Sequence, residues 1–236
     1  MITYIVTVNG DLKECHKERG SNLLFKIYYL KEGDIIDMFS GKRKAVTFSY
    51  DDGVTQDIRL IALFNKYGLK ATFNINSELL GLENTLVREG KTVNHTKNKK
   101  SEIKDIYREY EVAVHTLTHP NLTQLEEKEI IRQVEGDRKN LESLVGYDVV
   151  GMAYPGGGVN NNDYVAEVIK NHTSIQYART GTSTHNFDVQ DNLLRFHPTV
   201  YHHREWDTMF QLAETFIRLK PDKPQIFYIW GHSYEF

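Results

Sequence analysis

The sequence has a single cysteine, Cys15, in 236 residues. No internal disulfide can form, so the fold must rest on its hydrophobic core, and a reducing compartment is the expected setting. No apolar run approaches the roughly 20 residues that a membrane-spanning helix needs. The first residues, Met1 to Gly10, lack a basic leader and read as a strand rather than a secretory signal. A cytoplasmic location with no membrane partner is the resulting expectation. Neither sign of charge dominates, and the net charge of -3 gives no general pull toward nucleic acid. The stretch from Lys91 to Lys104 is rich in lysine, but no aromatic side chains interleave with them as a single-strand-binding surface would require. It reads as a solvated loop. There is no internal repeat and no low-complexity tract.

Hydrophobic residues make up 40% of the chain, enough for a sizeable core, and the length suits one large α/β or barrel domain. Residues 1–43 stand apart. Ile2–Val8, Leu23–Leu30 and Asp34–Phe39 look extended and are separated by turn formers such as Asn9-Gly10 and Glu32-Gly33, which suggests a small β-rich N-terminal extension. From Lys44 onward, apolar β-rich runs recur at Ala45–Phe48, Ala71–Ile75, Val112–Val114, Val149–Ala153, Ile175–Ala178 and Ile226–Trp230, with a weaker one at Leu193–Phe196. Helical spacing lies between them. Ile58 to Asn65 fits a helix ending near Gly68, and Leu125 to Leu144 fits a longer one with Thr123 and Glu126 as its capping box. Tyr164 to Ile169 and Met209 to Ile217 fit two more. Strands alternating with helices imply a mostly parallel sheet. About seven such units predict a distorted (β/α) barrel over residues 44–236, with an open doubly wound sheet as the alternative; either places its site at the C-terminal strand ends.

Polar clusters do follow the apolar runs. Thr47-Phe48-Ser49-Tyr50-Asp51-Asp52-Gly53 puts two carboxylates at a strand end. Successive strand residues face opposite ways, but a turn at Gly53 can bring both carboxylates to one pocket, one for a cation and one as a base. A solvated turn is the competing reading. His115 and His119, four apart in a tight strand-to-helix turn ahead of Pro120, can converge on one ion, and neutral imidazoles suit Zn²⁺ and neighbouring divalent metals such as Co²⁺ or Ni²⁺. Together the two clusters give Asp52, His115 and His119 as a metal set that leaves coordination positions open, the pattern of a catalytic site. Ala153-Tyr154-Pro155-Gly156-Gly157-Gly158 lacks the Gly-Lys-Ser or Gly-Lys-Thr ending of a phosphate loop and is a candidate oxyanion loop or a plain one. His232 follows the last apolar strand and can serve as a general acid. His16, His95, His172, His185, His202 and His203 read as structural, and His197 is of interest only because it follows a short apolar run.

These residues resemble a known family. Thr47–Gly53, His115–His119, Ala153–Gly157 and Trp230–His232 look like motifs of the polysaccharide deacetylase, or NodB-homology, family, over residues from about 44 to the end. The resemblance implies a distorted (β/α) barrel that removes acetyl groups from an N-acetylated sugar. Asp52, His115 and His119 would hold one divalent metal, most simply Zn²⁺. Asp51 would be the general base, His232 the general acid, and the Gly156 N–H an oxyanion donor, with Tyr154 and Arg179 beside the substrate. The family usually begins its third motif with an arginine that steadies the base, and Ala153 stands there; Arg179, after another strand, is the candidate substitute. The aspartate-tryptophan fourth motif is not evident around Thr182 to Phe187, and Ser233 follows His232 where the family often has aspartate. The chain also reaches Phe236 soon after the last strand, where the family leads one to expect a further helix. The expected substrate is a soluble acetylated oligosaccharide or small amide. An O-acetyl ester is the alternative within hydrolases, and a metal-retaining, non-catalytic carbohydrate-binding protein the alternative outside them.

Overall fold

The run Lys44-Ala-Val-Thr-Phe-Ser-Tyr-Asp51 forms β1, and the rest of the fold is arranged around it. The structure is a computed structural model that describes Phe39 and residues 42–236. The extended pieces expected over Ile2–Val8, Leu23–Leu30 and residues 34–38 lie outside the described residues. β1 pairs in parallel with β2 (Thr72–Ile75) on one side and with β9 (Gln225–His232) on the other. β2 continues to β5 (Glu111–Val114), then β6 (Gly151–Ala153) and β7 (Tyr177–Arg179), while β9 continues to β8 (Val200–Tyr201). The result is one seven-stranded sheet in the order β7-β6-β5-β2-β1-β9-β8, with every pairing parallel.

Parallel neighbours need long crossovers, and the chain supplies helices for them. These are α1 (Asp57–Tyr67), α2 (Ile103–Ile106), α3 (Glu127–Val145), α4 (Asp163–His172) and α5 (Trp206–Arg218). Leu60, Ile61 and Phe64 of α1, Ile130, Val134 and Leu141 of α3, and Val165, Val168 and Ile169 of α4 share one core with Phe73, Val112, Val114 and Met152 of the strands. Phe216 of α5 buries against Phe187, Val200, Phe227 and Ile229. Gly68 ends α1 in the left-handed conformation at φ 65°, as its position predicts. No helix among the described residues is long and apolar enough to cross a membrane.

The sheet curls until its edges meet. Phe196 forms a parallel bridge to Arg179 of β7, and four residues later Val200 pairs with Ile229 of β9. One extended segment therefore joins both edges and makes a distorted (β/α) barrel.

Three local expectations need correction. Leu193–Arg195 is a 3-10 turn rather than a strand, and only Phe196 joins the sheet. β8 is two residues long and too short to show a period. Thr123 does not cap α3. Its N–H and hydroxyl both donate to Asn121 Oδ1 within a separate turn, Leu122–Gln124, and α3 begins after Glu126 without a side-chain cap. Finally, the lysine-rich stretch is not simply a solvated loop. A hairpin of β3 (Thr85–Arg88) and β4 (Lys91–Asn94) opens it, and Lys97 and Asn98 beyond it are buried.

Candidate metal centre and active site

Asp51 is the last residue of β1, so Asp52 would face away from it if the strand continued. Instead Asp52 adopts φ 84° and Gly53 φ 61°, and the chain swings both carboxylates to the same end of the barrel. Gly53 is required twice over. Its φ is left-handed, and a Cβ there would lie 3.0 Å from Ile75 Cγ2. After β5 the turn repeats the device, with Thr116 at φ 66° and His119 at φ 64°. Left-handed backbone is unfavourable for side-chain-bearing residues and gathers where surrounding contacts enforce it, commonly at functional sites. Here the contacts are visible. Asn76 Nδ2 donates to the carbonyls of His115 and Thr116, Thr116 Oγ1 accepts from the His119 N–H at 3.1 Å, and Asp137 of α3 accepts from the His115 N–H at 3.0 Å and the Ser77 N–H at 2.7 Å.

The turns bring Asp52, His115 and His119 together, with one donor atom from each lying within 4.8 Å of the others. His115 Nε2 is 3.9 Å and His119 Nε2 3.8 Å from Asp52 Oδ1. His115 Nδ1 is 2.9 Å from the Ala153 carbonyl, which can only accept, so the proton sits on Nδ1 and the Nε2 lone pair faces Asp52. Burial pushes His115 down to about 4 against the pull of Asp51, and burial also lowers His119, so both are neutral at pH 7. Burial would raise Asp52, but the His95 hydrogen bond, Lys97 and the neighbouring histidines hold it well below the ordinary carboxylate range. Two neutral imidazoles and one carboxylate are the donor chemistry of a divalent metal site, and the residues fit such an ion.

Asp51 lies beside this cluster, its Oδ2 4.0 Å from His115 Nε2. Arg179 Nη2 donates to both Asp51 oxygens at 2.5 Å, and Asn74 Nδ2 donates to Oδ1 at 2.8 Å. Arg179 is held in turn by Ser49 Oγ, by the Thr180 carbonyl and by the face of Trp230 at 4.5 Å. It is 1% exposed and turned onto Asp51, so the structure does not present it to a substrate as expected. The register explains its reach. Ala153 and Arg179 are directly paired on β6 and β7, and paired residues on adjacent strands project from the same face. Tyr154 also departs from expectation. Its hydroxyl donates to the Leu194 carbonyl and its N–H to the Arg179 carbonyl, so both donors serve the fold. Gly156 sits on the exposed turn beyond it at φ 79°.

His232 closes the adjacent strand at the same end of the barrel, in register with Asp51 across the parallel β1–β9 pair. Its Nε2 is 3.9 Å from Asp52 Oδ2, and its Nδ1 is 3.0 Å from Glu235 Oε1. Burial opposes charging of His232, but the Glu235 hydrogen bond and charge, with Asp52 and Asp51, raise it above its ordinary value. Glu235 also bonds Tyr201, His202 and Arg88.

Four residues of this site were not legible as such in the sequence. His95 Nε2 lies 3.1 Å from Asp52 Oδ2, and Lys97 Nζ lies 2.8 Å from the Asp52 carbonyl and 3.4 Å from Oδ1. Tyr234 Oη is 3.4 Å from Asp52 Oδ2, and Glu235 orients His232. The only signal for Glu235 was its place three residues after His232. His95 and Lys97 had none, since they sit in a lysine-rich stretch. His197 bonds Thr180 Oγ1 at the β7 edge.

No curated protein matches this chain. Among solved structures it is similar to the deacetylase PplD of Streptococcus pyogenes in complex with acetate, at 18% identity and a TM-score of 0.52 over 63% of this chain and 61% of that one. It is also similar to BC0361, a polysaccharide deacetylase of Bacillus cereus, at 21% identity and a TM-score of 0.50 over 63% of this chain and 44% of that one. At these identities the likeness is one of fold, and the chain spans about three fifths of the first and less than half of the second. The family model described as polysaccharide deacetylase matches residues 40–177, more than half of the chain. That span carries Asp51, Asp52, His115 and His119, while Arg179 and His232 lie beyond it. The chain therefore belongs to the polysaccharide deacetylase family.

Proposed function

We propose that the chain hydrolyses the acetyl group of an N-acetylated sugar, in an oligosaccharide or a small amide, with one divalent metal held by Asp52, His115 and His119. The carrying observation is convergence. A three-donor metal set, a separately held carboxylate and a carboxylate-oriented histidine meet at one end of a parallel barrel. Simple carbohydrate binding needs neither of the last two.

A Zn²⁺ or similar ion bound there supplies Lewis acidity toward the acetyl carbonyl and acidifies a water molecule. The chain's own residues do the rest. Asp51 takes the water's proton at Oδ2, which Arg179 bonds but Asn74 does not, and which lies 4.0 Å from His115 Nε2. Arg179 fixes the carboxylate plane and supplies its counter-charge. The Gly156 N–H helps hold the oxyanion. His232 delivers a proton from Nε2 to the departing amine, which leaves poorly unless protonated, while Glu235 holds Nδ1 and keeps Nε2 aimed at the site.

The test is acetate release from a panel of N-acetyl sugars and O-acetyl esters, with and without a chelator. Chelator-sensitive release from N-acetyl sugars is expected, and Asp51→Asn should keep the metal but lose at least about 100-fold in turnover, the low end for a general base. Release from esters alone would make the chain an O-acetyl esterase. Metal binding without any release would make it a carbohydrate-binding protein.

A further inference from the structure

The metal set carries a built-in competitor. Beyond the β3–β4 hairpin the chain runs back along the turn that follows Asp52. Asn98 N–H donates to the Gly53 carbonyl at 2.9 Å, Asn98 Nδ2 to the Val54 carbonyl at 2.9 Å, and Thr55 N–H to the Thr96 carbonyl at 2.9 Å, with Val54 and Lys97 forming an antiparallel bridge. This stitching lays Lys97 over Asp52, where it is 4% exposed. The two oxygens of Asp52 are divided between different neighbours. Oδ2 faces His95 Nε2 at 3.1 Å, Tyr234 Oη at 3.4 Å and His232 Nε2 at 3.9 Å. Oδ1 faces the two ligand imidazoles at 3.8 and 3.9 Å and, at 3.4 Å, the Lys97 ammonium. The oxygen that a cation shared with His115 and His119 must use is therefore already paired with a cation.

We propose that Lys97 is an affinity-determining residue of this metal site: its ammonium competes with the divalent ion for Asp52 Oδ1, keeps the ion-free site assembled, and makes the bound metal readily exchangeable. The inference rests on the assignment of Asp52, His115 and His119 as the metal set. Without an ion, Lys97 compensates a buried carboxylate that would otherwise be costly. With an ion, it is a like charge confined beside it. Both effects act in one direction, and removing the ammonium strengthens metal binding. A unit charge at ~4–6 Å shifts a neighbour's ionic equilibrium by about one to three decades.

The experiment is Zn²⁺ titration of chelator-stripped full-length protein, read by calorimetry or by competition with a chromophoric chelator, alongside thermal unfolding of the stripped protein. Lys97→Met and Lys97→Gln should bind Zn²⁺ roughly tenfold or more tighter than wild type, on the same scale. Their stripped forms should melt lower than wild type, with the gap narrowing when Zn²⁺ is added. Lys97→Arg, which keeps the charge, and Lys100→Met, which removes an exposed lysine of the same segment, should bind as wild type does. Should Lys97→Met fail to fold, Lys97→Gln, which keeps an N–H donor, carries the test. Equal or weaker Zn²⁺ binding by both neutral variants, while Asp52→Ala abolishes binding, overturns the role of Lys97 and leaves the metal set standing. Zn²⁺ binding by neither wild type nor the neutral variants overturns both.

Discussion

The Arg179–Asp51 pair gives a stability prediction that does not depend on knowing the substrate. Both side chains are buried, and Arg179 Nη2 lies 2.5 Å from each carboxylate oxygen. In Arg179→Met, Asp51 keeps only the Asn74 hydrogen bond at 2.8 Å, the Thr180 carbonyl and the Trp230 face lose the guanidinium, and Ser49 loses it too but keeps its bond from Asn74. Breaking one side of such a buried pair costs about 3–5 kcal/mol, whereas replacing both members with neutral groups is often close to neutral. For a chain of this size each kcal/mol moves Tm by roughly 2–4 °C, so the single variant should melt about 6–20 °C lower. Asp51→Asn should also destabilise, because it strands the guanidinium. The double variant should lose less than the sum of the two, by ~2 kcal/mol or more, in the range found for residues in direct contact. Thermal and urea unfolding of the four proteins measure this. Additive losses would show that the two groups do not act as a pair, and Arg179 would then have no claim to stand in for the arginine absent at Ala153.

Zn²⁺ binding should be abolished by Asp52→Ala and His115→Ala, and weakened at least about tenfold by His119→Ala, on the scale of a lost donor or its support; metal analysis after gel filtration reads this, and chelation should lower the Tm of wild type but not of Asp52→Ala. Asp57 gives a pH prediction. Burial pushes it up to about 7, although the Ser233 and Tyr107 hydroxyls donate to it at 2.5 Å. The folded state therefore binds more protons than the unfolded state between about pH 4 and 7, so this group's contribution is full below its unfolded value and is lost as pH rises through 7. Asp57→Asn should flatten the fall in stability over that window, measured by urea unfolding from pH 4.5 to 8; an unchanged slope would exclude Asp57 as its source. Gly231→Ala should disturb the acid end of the site, because a Cβ there would lie 1.8 Å from the His202 ring, which bonds Glu235. We expect a loss of about 1–3 kcal/mol, typical of overpacking, together with a lower kcat; a fully active, equally stable variant would show that His202 can move without disturbing Glu235.

The sequence displays the barrel because parallel, doubly covered strands are continuous apolar runs, as at Val112–Val114 and Ile226–Trp230. It displays the candidate ligands because a parallel sheet puts its polar site residues just past those runs. Asp52, His115 and His119 are polar at positions where the periodicity has just stopped, and Arg179, the last residue of β7, occupies the same kind of place. What the sequence conceals depends on contacts distant in the chain. Lys97 is buried by pairing with a carboxylate 45 residues earlier, and nothing local marks it off from the exposed lysines around it. Thr123 and Glu126 have the spacing of a capping box, yet Asn121 takes both Thr123 donors first. Phe196 and Val200 close the barrel although neither lies in a strand long enough to show a period. Glu235 becomes visible as a partner of His232 only once the final turn brings it back under β9.

Asp51 and Asp52 are neighbours of the same chemistry, and the cation each holds explains why they should divide the work. Two buried carboxylates side by side repel unless each has its own counter-charge. Asp51 has a planar guanidinium that donates from Nη2 to both carboxylate oxygens and is locked by Ser49, Thr180 and Trp230 inside the barrel. A cation so held cannot withdraw to admit another, which leaves Asp51 unsuited to metal and suited to a task that needs a carboxylate in one orientation. Asp52 has an ammonium on a flexible stem, delivered from outside the barrel by a segment joined to the fold through backbone hydrogen bonds. Under the proposed metal assignment, that cation would give way to a divalent ion that also engages His115 and His119. The proposed division between base and ligand thus follows from which strand or loop supplies each counter-charge, and Arg179→Lys, which keeps the charge but gives up the planar hold on Asp51, should lower turnover while leaving Zn²⁺ binding as in wild type.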